Sequence, residues 1–144
     1  MKKQQLKETI DFLKSKGFQN PEIGIVLGTG LGQLMNEIVV EQEIAYKDIP
    51  HFPKATVEFH SGKLIYGILS GKKVIVMSGR FHLYEGYNHW EVTYGIRTMH
   101  QLGITTLLIS NAAGAINLSY KKGDLMLIED HINFQGSSPL AFQD

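Results

Sequence analysis

Ile23-Gly24-Ile25-Val26-Leu27 is an apolar run that stops abruptly at Gly28-Thr29-Gly30-Leu31-Gly32. A short aliphatic run closed by glycines reads as a buried strand ending in a tight turn. Two further runs end the same way. Val74–Met77 stops at Ser78-Gly79-Arg80-Phe81-His82, and the short β-branched stretch Ile104–Ser110, of the kind buried on both faces of a parallel sheet, leads into Asn111-Ala112-Ala113-Gly114. Three strand ends thus carry glycines beside small or cationic polar residues. In open α/β sheets, ligands bind just beyond the carboxyl ends of strands, so a shared site at these three ends is the expectation.

Outward from these strands the chain alternates between helical and extended signals. Leu6, Ile10 and Leu13 recur at helical spacing over residues 3–16, with Gly17 as the stop. Residues 37–47 are read as a strand. Ala55–His60 and Lys63–Leu69 look like paired strands joined through Ser61-Gly62, and Ser70-Gly71 turns into Val74–Met77. Asn88 and Glu91 form an N-x-x-E cap for a helix that runs to Gly103, with Val92, Ile96 and Met99 on one face and Trp90 and Tyr94 as a second stripe. Leu125–Ile128 is a further expected strand. The pattern predicts an α/β fold, a mixed β-sheet flanked by helices, with residues 1–144 as a single domain.

Composition narrows the function classes. Lys and Arg number 14, as do Asp and Glu, so the formal net charge is zero. That balance removes the long-range attraction that draws proteins to nucleic acid or acidic membranes, and neither is an expected partner. Hydrophobic residues at 43% exclude disorder, and the lack of cysteine excludes disulfides, thiolate metal sites and thiol nucleophiles. The N-terminus is basic without an apolar stretch behind it, and the uncharged run Thr98–Tyr120 is too polar to span a bilayer. A cytoplasmic protein is expected.

The strand ends suit an anion. Glycines let backbone N–H groups approach it, while Thr29, Arg80 and His82 add donors; Arg80 and His82, at i and i+2, share one side of an extended segment. Taken singly, each piece has a plain structural reading: a tight bend, a surface arginine, a strand exit under a helix. Gly28-x-Gly-x-Gly32 is not the dinucleotide fingerprint, since Gln33 stands where its third glycine belongs, and no Gly-Lys-Ser/Thr follows to make a Walker loop. Of the six histidines, no pair has helical metal-ligand spacing, so no metal is expected. His60 and His82 flank the anion site; His89 and His100, on the capped helix, read as surface or packing residues, and His131 reads equally as a loop-orienting or an acting residue. The aromatic cluster Phe81-His-Leu-Tyr84-Glu-Gly-Tyr87 reads equally as hydrophobic packing over the helix start or, through Tyr84, as a cover for the apolar face of a sugar. No G-x-S-x-G elbow is present.

Five blocks in order, Gly28-Thr-Gly-Leu-Gly32, Phe52-Pro-Lys-Ala-Thr-Val57 with His60-Ser-Gly62, Gly79-Arg-Phe-His-Leu-Tyr-Glu-Gly-Tyr87, Asn111-Ala-Ala-Gly114 and Asp130-His-Ile-Asn133, resemble the trimeric purine nucleoside phosphorylases. The resemblance covers essentially the whole chain and corresponds to the N-terminal half of that family. It implies a three-layer nucleoside phosphorylase-like fold, here truncated, and reversible phosphorolysis of purine ribo- or deoxyribonucleosides to free base and pentose 1-phosphate. It further implies inorganic phosphate as co-substrate with no other cofactor, and a homotrimer at full length. On this resemblance Thr29, Arg80, His82 and the backbone N–H of Ala112 bind phosphate, with His60 beside it. His82 and Glu85 are the catalytic residues, Glu85 as a supporting carboxylate that positions His60, the histidine beside the phosphate; Tyr84 lines the sugar and Asn111 shapes the pocket. Thr29, where many relatives carry serine, is similar to the methylthioadenosine phosphorylases, whereas Phe81–Tyr87 favours the purine nucleoside branch. The family's base-binding glutamate and asparagine and its ribose-binding histidine belong to its second half. Charge-assisted hydrogen bonds contribute roughly 1.5–3 kcal/mol each, and millimolar affinity takes only about 4.1 kcal/mol. The 144 residues alone are therefore expected to hold phosphate weakly and to turn over negligibly.

Overall fold

The computed structural model describes residues 2–53 and 62–140. In chain order its elements are α1 (Lys2–Ser15), β1 (Ile23–Val26), β2 (Val39–Ala45), β3 (Lys63–Leu69), β4 (Lys72–Ser78), α2 (His89–Leu102) and β5 (Thr106–Ile109). Short 3-10 turns occupy Gly32–Glu37, Tyr46–Asp48 and Leu83–Glu85. The strand read over Ala55–His60 lies outside the described residues.

The strands form one sheet in the order β2-β3-β4-β1-β5. β3 runs antiparallel to both its neighbours, β2 and β4, whereas β4, β1 and β5 run parallel, so the sheet is mixed as expected. Ser70 and Gly71 join β3 to β4 with positive φ at both positions (49° and 77°), the geometry of a type I′ turn matched to strand twist. Residues along β4 alternate between faces. Val74 and Val76 pack with Ile25, Leu27 and Ile65, while Ile75 and Met77 pack with Val26, Leu64 and Tyr66. Both helices cover this second face, through Ile10 and Leu13 of α1 and Tyr94, Met99 and Leu102 of α2. Leu34 and Met35 of the Gly32–Glu37 turn pack against the first.

Asn88 and Glu91 cap α2 reciprocally, Asn88 Oδ1 accepting from Glu91 N at 3.0 Å and Glu91 Oε2 from Asn88 N at 2.9 Å. Its core stripe is rotated from the one expected. Tyr94, Gly95, Thr98, Met99 and Leu102 are buried, and Val92 and Ile96 only partly so. Tyr94 can go inside because its hydroxyl meets Thr9 Oγ1 of α1 at 2.7 Å, and Thr9 donates in turn to the Pro50 carbonyl at 2.7 Å.

Two strand expectations are corrected. Ile104–Ser110 is a strand only over Thr106–Ile109, and among the described residues it lies at the sheet's edge, with Leu108 53% and Ile109 56% exposed. Hydrophobicity alone does not distinguish an edge strand from a central one. Leu125–Ile128 is not a strand, and Leu125 and Leu127 are almost fully exposed. Among the described residues no strand pairs with it, and without a ladder an extended segment leaves its backbone groups to water.

Candidate functional site

Val26 of β1 pairs with Met77 of β4 and with Ile109 of β5, so the three parallel strands end level with one another. Leu27 N–H extends the first pairing by donating to Met77 O at 3.2 Å. The three glycine-bearing exits therefore emerge side by side, the juxtaposition expected from the sequence.

At the β4 exit the chain bends at Gly79, whose φ of +100° suits glycine. The arch is anchored from beneath by Tyr46, which is buried and donates its hydroxyl proton to Gly79 O at 2.7 Å. Its ring packs on Phe52 (4.9 Å between centroids) and Phe81 (5.3 Å). Burial pushes the Tyr46 phenol well above its ordinary pKa, which keeps it an O–H donor. Above this anchor, Arg80 and His82 lie on the same side. Arg80 Nε donates to His82 Nε2 at 3.2 Å, and Arg80 Nη1 donates to the Ser110 carbonyl at 2.7 Å.

The 3-10 turn Leu83–Glu85 carries Glu85 back toward His82. Glu85 Oε1 accepts from His82 N at 3.0 Å and lies 2.6 Å from Nδ1. Because the carboxylate can only accept, Nδ1 carries a proton and Nε2 is left to accept from Arg80. The Glu85 side chain is 8% exposed, against 33% for His82, so the acid is the inner support and the imidazole the outer, accessible group. The Tyr84 ring stacks on the imidazole at 4.7 Å and 18°, and the residue is 83% exposed. Elsewhere in the same aromatic cluster Phe81 is buried and Tyr87 packs edge-on against it at 5.4 Å, just before the start of α2.

The β1 and β5 exits are joined directly. Gly28 N–H donates to Ser110 Oγ at 2.8 Å, and Ser110 N–H donates to Val26 O at 3.2 Å. A Cβ on Gly28 would sit 2.5 Å from the Ser110 carbonyl oxygen, so a side chain there would collide with the acceptor that Arg80 uses. Thr29 and Asn111 follow immediately on this bonded pair, and Ala112 is one residue further; all three are exposed. The Asn111 side chain donates to Ala112 O at 3.3 Å.

The fold thus links Arg80, His82, Glu85 and Tyr84 by direct contact and sets Thr29, Asn111 and Ala112 on the neighbouring exits. His60 lies outside the described residues. His131 is exposed, His89 and His100 lie on α2, and His51 pairs with Glu8 at 2.6 Å. Two residues with structural claims on the site went unassigned in the sequence. Ser110 was visible only as one polar residue among several at a strand exit. Tyr46 had no local signal, since its partner Gly79 is 33 residues away. Grooves of about 360 Å³, beside Trp90 and Tyr94, and of about 490 Å³, along α1, lie away from these strand ends. Among the described residues no group of three or more His, Asp or Glu side chains is placed to hold a metal ion, and no helix is long and apolar enough to cross a membrane. A guanidinium, an imidazole, a threonine hydroxyl and backbone amides thus stand at three adjacent strand ends, donors of the kind that suit a small tetrahedral anion.

Residues 22–144 match the family model described as the phosphorylase superfamily. The chain is 49% identical over 140 residues to purine nucleoside phosphorylase 1 of Geobacillus stearothermophilus, covering 97% of this chain and 51% of that protein. It is 45% identical over 136 residues to the purine nucleoside phosphorylase of Bos taurus, covering 92% and 47% respectively. Isoform 2 of the Schistosoma mansoni purine nucleoside phosphorylase, solved with cytosine and ribose-1-phosphate, superposes with a TM-score of 0.88 at 42% identity, over 98% of this chain and 50% of that one. The chain spans about half the length of the relatives it matches.

Proposed function

The chain belongs to the phosphorylase superfamily, and from that membership we propose that it serves the reversible phosphorolysis of purine nucleosides, with the three strand ends as the phosphate cradle. An oxygen of inorganic phosphate forms a bond to the anomeric carbon. The bond from that carbon to the purine nitrogen breaks, its electron pair leaves with the base, and pentose 1-phosphate remains. The transition state carries positive charge on the sugar, so an anion fixed beneath the ring acts as both nucleophile and electrostatic stabiliser.

In this reading Arg80, His82, Thr29 and the Ala112 N–H hold phosphate, with His60 beside it. Glu85 fixes the imidazole, Tyr84 lines the sugar and Asn111 shapes the pocket. No cofactor beyond phosphate is invoked. The whole enzyme is proposed to act as a cytoplasmic homotrimer, with residues 1–144 forming part of one domain and the purine-recognising groups lying outside them. One observation carries the proposal: Arg80, held 2.7 Å from Ser110 O and 3.2 Å from His82 Nε2, joins the β4 and β5 exits where β1 also ends. The Schistosoma mansoni relative, solved with ribose-1-phosphate, holds the product such an attack would form.

Calorimetric titration with inorganic phosphate tests the cradle. Arg80→Ala removes charge-assisted bonds of about 1.5–3 kcal/mol and is expected to weaken binding about tenfold or more. Equal affinity in wild type and variant would remove Arg80 from the site. Hypoxanthine release from inosine by the whole enzyme tests the reaction. Release that proceeds equally without phosphate would indicate hydrolysis and overturn phosphorolysis.

A further inference from the structure

We infer that Ser110 is the positioning residue of the anion cradle, through which the exits of β1, β4 and β5 are held in one arrangement. The inference rests on the phosphate reading and deepens it, because it names a residue that acts on the cradle through Arg80 and Gly28.

Ser110 is half-buried and uses every polar group it has. Its hydroxyl accepts from Gly28 N–H at 2.8 Å and makes a longer contact of 3.4 Å with Val26 O. Its own N–H donates to Val26 O at 3.2 Å, and its carbonyl accepts from Arg80 Nη1 at 2.7 Å. The hydroxyl therefore fixes the start of the Gly28-Thr29-Gly30 turn, while the carbonyl fixes the guanidinium. This matters because β5 pairs on one side only among the described residues, with β1, and the chain beyond it is exposed. Strand ends at an open edge are the first to fray. Without the hydroxyl, the β5 exit keeps a single backbone bond to β1, and the carbonyl that aims Arg80 is free to turn. Arg80 would then be held only by His82 Nε2, an acceptor that an anion would compete with for the same guanidinium.

The test compares the full chain with Ser110→Ala and Ser110→Thr, using inorganic phosphate as the probe. Calorimetry reads affinity, NMR reads the Arg80 Nε–H resonance and the Gly28 amide exchange rate, and thermal melting confirms that each variant folds. Ser110→Ala is expected to weaken phosphate binding about five- to tenfold, the equivalent of one net hydrogen bond, with faster Gly28 exchange and a shifted Arg80 resonance. Ser110→Thr keeps the hydroxyl and should restore all three readouts. A folded Ser110→Ala variant with unchanged phosphate affinity, despite faster Gly28 exchange, would make Ser110 merely structural and overturn the inference. Failure of the wild type to bind phosphate overturns the reading of the site itself. Positioning is then judged on the NMR readouts, and an unmoved Arg80 resonance in Ser110→Ala overturns it as well.

Discussion

Gly28 shows how closely a cradle of this kind is built. Its N–H and its missing side chain are both used, the first to reach Ser110 Oγ at 2.8 Å and the second to admit the Ser110 carbonyl. A methyl placed there would lie 2.5 Å from that oxygen, which is backbone and cannot swing aside as a flexible side chain would. Gly28→Ala must therefore shift β5, the β1 turn, or both. Overpacking of this type costs typically about 1–3 kcal/mol. The expected outcome is a lower urea midpoint together with weaker phosphate binding, since the displaced carbonyl is the one that Arg80 donates to. A variant as stable as the wild type would mean that the strand ends yield more easily than this geometry implies. Arg80 and His82 were legible in the sequence because their i, i+2 spacing on an extended exit is a local property. Ser110 was not, because its importance comes from partners 82 residues before it and 30 residues before it, Gly28 and Arg80, and no local pattern records such bonds.

At the level of elements, caps and turns were the most legible features, because each is decided within four residues. The Asn88–Glu91 box and the Ser70-Gly71 hairpin both form where the sequence placed them. The box holds more than a helix end. Tyr87 precedes it and packs edge-on against Phe81, which lies between Arg80 and His82, so the start of α2 supports the far side of the cradle arch. Asn88→Ala removes the acceptor for Glu91 N–H, and losing such a cap costs roughly 1 kcal/mol. Chemical denaturation should show that loss, and Asn88→Ser or Asn88→Asp should recover most of it. If alanine were neutral, neighbouring packing rather than the cap would be setting the start of α2. The strands were less legible than the caps. Val74–Met77 and Ile104–Ile109 look alike as sequence, yet among the described residues one lies in the middle of the sheet and the other at its edge. Leu125–Ile128 shows the same limit, since an aliphatic run becomes a strand only when another strand meets it.

The whole molecule combines zero net charge with a core containing three buried tyrosines, Tyr46, Tyr66 and Tyr94, and two of them shape its behaviour at high pH. Tyr46 lies under the cradle and Tyr94 bridges α2 to α1 through Thr9; burial raises the pKa of both above the ordinary value of 10.0. Below about pH 10 each phenol is protonated in folded and unfolded chain alike, so neither makes stability depend on pH. Above that point the unfolded chain loses protons that the folded one retains. The unfolded state then binds fewer protons, and stability falls as pH rises, by up to about 1.4 kcal/mol per pH unit for each tyrosine. Urea midpoints measured from pH 8 upward should therefore be flat with respect to these groups until about pH 10 and decline beyond it. Tyr46→Phe removes one titrating group and, with it, the bond to Gly79 O at 2.7 Å. The variant should be less stable at neutral pH, yet lose stability less steeply in alkali. A decline as steep as that of the wild type would assign the alkaline transition to other groups. Because the bond to Gly79 supports Arg80 and His82, phosphate binding should fail along with the fold at high pH rather than before it.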